Sequence, residues 1–100
     1  MKRTKSMVYE ESVAASELVL YTENLAELYF GTIKMVLANL KKKVNRGVYD
    51  SNKAVDIWYH VATEASKRYN KEFGYTFTVT ERFTAAVDLE ENYREELGLV

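Results

Sequence analysis

The stretch Asn39–Ala54 reads NLKKKVNRGVYDSNKA. Three lysines stand in a row, an arginine follows, and a glycine and an aspartate come after it. Such a run is either a cationic surface for nucleic acid or the end of one helix and the start of the next. Carbonyls in the last turn of a helix have no intrahelical partner, and the macrodipole puts negative potential there. A lysine near that end stabilises it by about 0.3–1 kcal/mol when exposed. Gly47 can take the left-handed conformation that stops a helix. Asp50 or Ser51 can then cap the next one. Every residue type in KKKVNRGVYDS has a structural role in a helix–helix corner.

The rest of the sequence agrees with that reading. Proline is absent and there are only four glycines among 100 residues, so helix breakers are scarce. Before the corner, Asn24 and Glu27 have the spacing of a capping box. Leu25, Leu28, Tyr29, Ile33, Val36, Leu37, Leu40 and Val44 then recur at helical spacing. Phe30 and Met35 widen this apolar arc, while Glu27, Lys34 and Lys41 mark a wet side. A helix so apolar is central in a bundle or partly covered by a partner. A preceding helix is expected over about Ser6 to Tyr21, with Val13, Ala14, Leu18 and Tyr21 on one face and residues 1–5 loose.

After the corner, Ala54, Trp58, Val61, Ala62, Ala65 and Tyr69 define the buried face of a helix that Gly74 ends. Next comes FGYTFTVTE, Phe73–Glu81, in which aromatic and small residues alternate. Period two reads as extended chain. It is either a linker that pins aromatics onto the helices or a strand that pairs with another chain. Thr78 with Glu81 forms a second capping box, so the last helix starts at Thr78 or Thr80. Phe83, Ala86, Val87, Leu89, Tyr93 and Leu97 supply its apolar side. The expected architecture is a single all-α domain over residues 1–100, a small bundle of three to four helices with a short extended aromatic segment before the last one.

Composition bounds the function. With 47% hydrophobic and 13% aromatic residues the chain can build a core. A domain of this size buries roughly 60–70% of the surface its unfolded chain exposes. No cysteine is present, so neither a disulfide nor a thiolate zinc site is available. No apolar run approaches the roughly 18 residues that span a bilayer, and the N-terminal residues lack the apolar core of a secretory signal. A soluble, cytoplasmic protein with no membrane association is expected. Net charge is −1, which gives no general attraction to polyanions.

The charges are unevenly placed. From Lys34 to Lys53 there are six basic residues and one acid, and from Glu81 to Val100 six acids and two bases. The basic corner, Lys41, Lys42, Lys43, Arg46 and Lys53 with Tyr49, could meet nucleic acid or an acidic protein. Asp56 and Glu64, outward on the following helix, would repel phosphate. The acidic residues Glu90, Glu91, Glu95 and Glu96 read as the wet face of the last helix, and could also imitate nucleic-acid charge toward a basic groove.

Asp56, His60 and Glu64 share a helical face with a spacing that could hold a metal, but one histidine makes a weak site and a solvated stripe of ion pairs explains them better. No nucleophile motif or phosphate-binding glycine loop frames any serine, so the chain reads as non-enzymatic, with no cofactor. The eight tyrosines suit positions that are apolar on one side and wet on the other. They serve ordinary core packing, or an oligomer or partner face built from Tyr29, Gly31, Met35, Tyr59 and Tyr75. Gly31, inside a helix, costs about 1 kcal/mol against alanine, which would be explained by close approach of another backbone.

LYTEN, LY, NLKKK, GVYDSNKAVDIW, YNKEF and ERFTAAVDLEENY are distributed over about residues 18 to 93. The positions concerned are Tyr21–Asn24, Leu28–Tyr29, Asn39–Lys43, Gly47–Asp50, Lys53–Ala54, Trp58, Tyr69–Phe73 and Arg82. This set resembles small uncharacterised helical proteins of bacteriophages and mobile elements, which have no established activity. The resemblance implies provenance: a compact accessory protein. By analogy with such proteins, its role would be to bind a host protein or complex in the host cytoplasm, a defence system among the candidates, as an inhibitor. The alternative is a small nucleic-acid-binding accessory protein that uses the corner at 41–53.

Overall fold

The computed structural model describes the backbone of residues 5–100 and the side chains from Ser12 onward. The expectation for residues 1–4 lies outside these, as does the side chain of Tyr9, one of the eight tyrosines. Four α-helices follow one another: α1 (Lys5–Asn24), α2 (Lys34–Asn45), α3 (Ser51–Phe73) and α4 (Val79–Asn92). A π-helical segment, Leu28–Ile33, leads directly into α2. No strand occurs among the described residues.

α1 buries Ala15, Leu18, Val19 and Thr22, spaced as one helical stripe. Thr22 is buried without cost because its hydroxyl donates to the Leu18 carbonyl at 2.6 Å. Val13, expected on this stripe, is turned outward and half exposed. The helix also runs beyond Tyr21 to Asn24, so the Asn24–Glu27 capping box does not form. Asn24 closes α1, and the Glu27 carboxylate instead accepts from Arg68 Nη1 at 2.6 Å.

The π segment has a packing reason. Leu28 and Ile33 are both buried, five residues apart. An α-helix would turn them to different sides. Hydrogen bonding from i+5 to i, as from Lys34 N–H to the Tyr29 carbonyl, brings them to the same side. Ordinary helical spacing then resumes to Leu40. Phe30 and Met35 do not join the core and stay about two-thirds exposed on the outer side with Lys34.

α2 ends as its residues require. The Gly47 N–H donates to the Val44 carbonyl at 3.0 Å and the Val48 N–H to the Lys43 carbonyl at 2.9 Å, with Gly47 at φ +72°. This paired arrangement satisfies carbonyls that the helix leaves free. Asp50 caps α3, its carboxylate accepting from the Asn52 and Lys53 amides at 2.9 and 3.2 Å. Ala54, Trp58, Val61, Ala62 and Ala65 form the inner face of α3, as the spacing predicts. Gly74 closes α3 at φ +74°.

Gly74–Thr78 is an irregular linker that pairs with no strand among the described residues. Phe77 is driven into the core and Asn70 Nδ2 holds Thr76 Oγ1 at 2.9 Å. The Thr78–Glu81 capping box then opens α4: Thr78 Oγ1 accepts from the Glu81 amide at 3.1 Å, and Glu81 Oε1 from the Thr78 amide at 2.8 Å.

α1, α3 and α4 pack together around Trp58, whose ring stacks on Tyr93 with centroids 5.1 Å apart. Alanines from all three helices lie in the core, so the backbones can approach closely. On α4 the buried apolar residues are Ala85, Ala86 and Leu89, whereas Phe83 is half exposed. The chain beyond α4 turns back. Tyr93 and Leu97 enter the core, and Lys41 Nζ donates to the Leu97 carbonyl at 3.0 Å, tying this turn to α2. The molecule measures 41 × 32 × 17 Å. A slab so thin cannot surround α2, whose outer face stays in water.

Candidate functional site

The basic corner is a helix terminus first. Lys41 is engaged with the C-terminal turn, and its ammonium lies 3.1 Å from where a side chain on Gly98 would begin. Lys42, Lys43, Arg46 and Lys53 are exposed. Lys43 and Lys53 stand over a small depression of about 200 Å³ with Val48 and Asp50. Asp50 already occupies the N-terminus of α3, so no free helix end points into it. Tyr49, grouped with this corner by sequence, turns the other way and donates its hydroxyl to Glu90 at 3.0 Å.

Glu90 is therefore not part of the wet face of α4. It is only 4% exposed, and its Oε1 accepts both from Tyr49 and from Arg94 Nη1 at 2.7 Å. Glu91, Glu95 and Glu96 remain exposed. Asp88 sits close by, its carboxyl pushed above the usual range by desolvation and then by the Glu91 charge. Asp56, His60 and Glu64 run along the exposed side of α3, with Glu64 3.9 Å from Lys67. Among the described residues no group of three or more His, Asp or Glu side chains gathers as a metal would need.

Tyr29, Gly31, Met35, Tyr59 and Tyr75 fall into separate surroundings. Tyr29 is half-buried and meets Phe30 edge-on at 5.3 Å. Gly31 and Met35 face water, and nothing lies within 4 Å of where a Gly31 side chain would start. Among the described residues no other segment's backbone comes that close to Gly31. Tyr59 lies under the Arg82 guanidinium at 5.5 Å. Tyr75 belongs to the other end of α3.

There the structure assembles a surface that the sequence announced only in part. Tyr69, Phe73, Tyr75 and Phe77 form one aromatic cluster: Tyr69–Phe73 and Tyr75–Phe77 centroids are each 4.7 Å apart, and Tyr69–Phe77 centroids 5.0 Å. With Val13, Ala14 and Glu17 of α1 they line a groove of about 370 Å³. Phe73 is 59% and Tyr75 44% exposed. The period-two segment Phe73–Val79 was the visible signal. The contribution of α1 was not visible, because it depends on how α1 lies against α3.

Around this groove and across the core, tyrosine hydroxyls donate to glutamates on other segments. Tyr21 reaches Glu72 at 3.1 Å, Tyr69 reaches Glu17 at 2.8 Å, Tyr75 reaches Glu81 at 2.9 Å and Tyr93 reaches Glu23 at 3.0 Å. With Tyr49–Glu90 these make five such bonds. Each phenol is held in its protonated form. For Tyr69 and Tyr75 the glutamate bond is the leading cause, and for Tyr21 and Tyr93 burial leads. Burial and then Glu90 push Tyr49 up to about 12.

The fold and this surface define a small all-α bundle with an exposed aromatic groove at one end. No family model, curated protein or solved structure matches the chain. No helix of the described residues is long and apolar enough to cross a membrane.

Proposed function

We propose that the protein is a non-enzymatic accessory protein of a phage or mobile element that acts by binding a host protein or complex, a defence system being the candidate target. Provenance rests on the resemblance over residues 18–93. The binding role rests on the groove between α1 and the end of α3. Large aromatic side chains left half exposed in one concave patch are the common mark of an interaction surface. Here Phe73 and Tyr75 supply the exposed area, and Glu17 supplies an acidic rim.

The test is capture from nuclease-treated bacterial lysate washed at high salt. A host protein retained by the native chain and by Lys42→Glu/Lys43→Glu, but lost with Phe73→Ala or Tyr75→Ala, is the expected result. Capture that depends on the lysines, or that vanishes with nuclease, would overturn it.

The second reading is nucleic-acid binding by the corner. It is favoured by the exposure of Lys42, Lys43, Arg46 and Lys53, none of whose side-chain cations lies within 4.0 Å of a carboxylate among the described residues. Four phosphate contacts would give a log–log salt slope of about −3 to −4. A protein interface centred on aromatic rings would respond less.

A further inference from the structure

We infer that the aromatic groove receives a cationic side chain, lysine or arginine, from a basic segment of the partner. This deepens the groove-binding reading above and rests on it.

Three carboxylates border the cluster. Glu17 is bonded to Tyr69, Glu81 to Tyr75, and Glu72 to Tyr21, whose ring stands 5.0 Å from Tyr69 and 6.3 Å from Phe73. Arg68 is already held by Glu27 at 2.6 Å. Among the described residues that line the groove Glu17 is the one charged side chain, so the charge they present is negative and an acidic or phosphorylated occupant is repelled.

Hydrogen-bond chemistry points the same way. The hydroxyls of Tyr69 and Tyr75 spend their protons on Glu17 and Glu81. They have none left to donate to a carbonyl or carboxylate on a ligand. What the groove offers is acceptor capacity on carboxylates and the faces of aromatic rings. A neutral apolar occupant would take Glu17 out of water with no compensating donor, which is costly. A guanidinium or ammonium supplies donors to the carboxylate, and its charge is attracted to the ring faces. Its aliphatic stem can lie along Phe73 and Phe77. A volume of about 370 Å³ suits one long side chain and its flanking backbone, not a whole helix.

The experiment uses the full chain and four small probes at millimolar concentration: the N-acetyl amides of arginine, lysine, norleucine and glutamate. Aromatic NMR shifts report the site. The expected result is saturable movement of Tyr69, Phe73, Tyr75 and Phe77 signals with arginine and lysine, and none with norleucine or glutamate. Glu17→Gln keeps an acceptor for the Tyr69 hydroxyl, so the fold is retained. It should weaken arginine binding about fivefold, the scale of one exposed charge-assisted contact, while Glu95→Gln leaves it unchanged.

Norleucine binding as tightly as arginine would overturn the cationic assignment and leave the groove as an apolar docking site. Silence from every probe would overturn the cationic assignment, and the lysate capture with Phe73→Ala judges the broader reading separately. Equal weakening by Glu95→Gln would show diffuse charge attraction and would also overturn it.

Discussion

At Glu90 a carboxylate sits almost out of water, 4% exposed, between Tyr49 and Arg94. Buried carboxylates persist only when donors surround them. Tyr49→Phe removes one of the two donors and should cost about 1–2 kcal/mol in urea unfolding. The same residue carries a pH signature. Its folded-state value of about 12 lies above the unfolded value of 10.0, chiefly through burial and then through Glu90. The folded chain therefore keeps the proton longer. The stability this contributes is complete below pH 10.0 and is lost as pH rises to about 12. The urea midpoint should fall across that window, and Tyr49→Phe should fall less steeply than the native chain. Tyr93→Phe tests the pattern in the core. It keeps the stack on Trp58 but breaks the bond to Glu23, and should cost about 1 kcal/mol.

Among the elements, two glycines in helical surroundings make opposite predictions. Gly31 lies in the π-helical segment without a positive φ, and with open space where a side chain would start. Gly31→Ala should stabilise the chain by about 0.5–1 kcal/mol, because alanine has less freedom to lose on folding. If Gly31 lies in a close interface with another molecule, the same change should weaken that association in sedimentation analysis. Gly74 ends α3 at φ +74°. Gly74→Ala puts a Cβ into the left-handed region and should destabilise by about 1–2 kcal/mol, although nothing crowds the site. Thermal melts of the two variants should move in opposite directions.

For the molecule as a whole, the turn after α4 is part of the bundle. Tyr93 is 6% and Leu97 2% exposed, and the Leu97 carbonyl holds Lys41 of α2. A chain ending at Asn92 would lose both side chains from the core and this tie. Burial of that area is worth about 3 kcal/mol or more, which corresponds to a fall in Tm of at least about 12 °C for a domain of this length. Unfolding followed by circular dichroism and by Trp58 fluorescence measures it. Coincident transitions at the native midpoint would show the turn to be dispensable.

Local signals carried most of the fold. The corner at Asn39–Ala54, the caps at Asp50 and Thr78, the stop at Gly74 and the inner face of α3 are short-range matters of backbone geometry and helical period, so they could be read from neighbouring residues. The Asn24–Glu27 spacing misled because α1 continues through Asn24 and Arg68, distant in sequence, takes the Glu27 carboxylate. Glu90 looked like a surface acid for a similar reason: its partner Tyr49 lies 41 residues away. The tyrosines were legible as amphipathic residues, but their glutamate partners were not. The aromatic groove needed α1 laid against the end of α3, with Val13 turned outward. Period and capping act within a few residues. Pairing of buried polar groups and the closing of a groove depend on which helices meet, and that is set by packing of the whole chain.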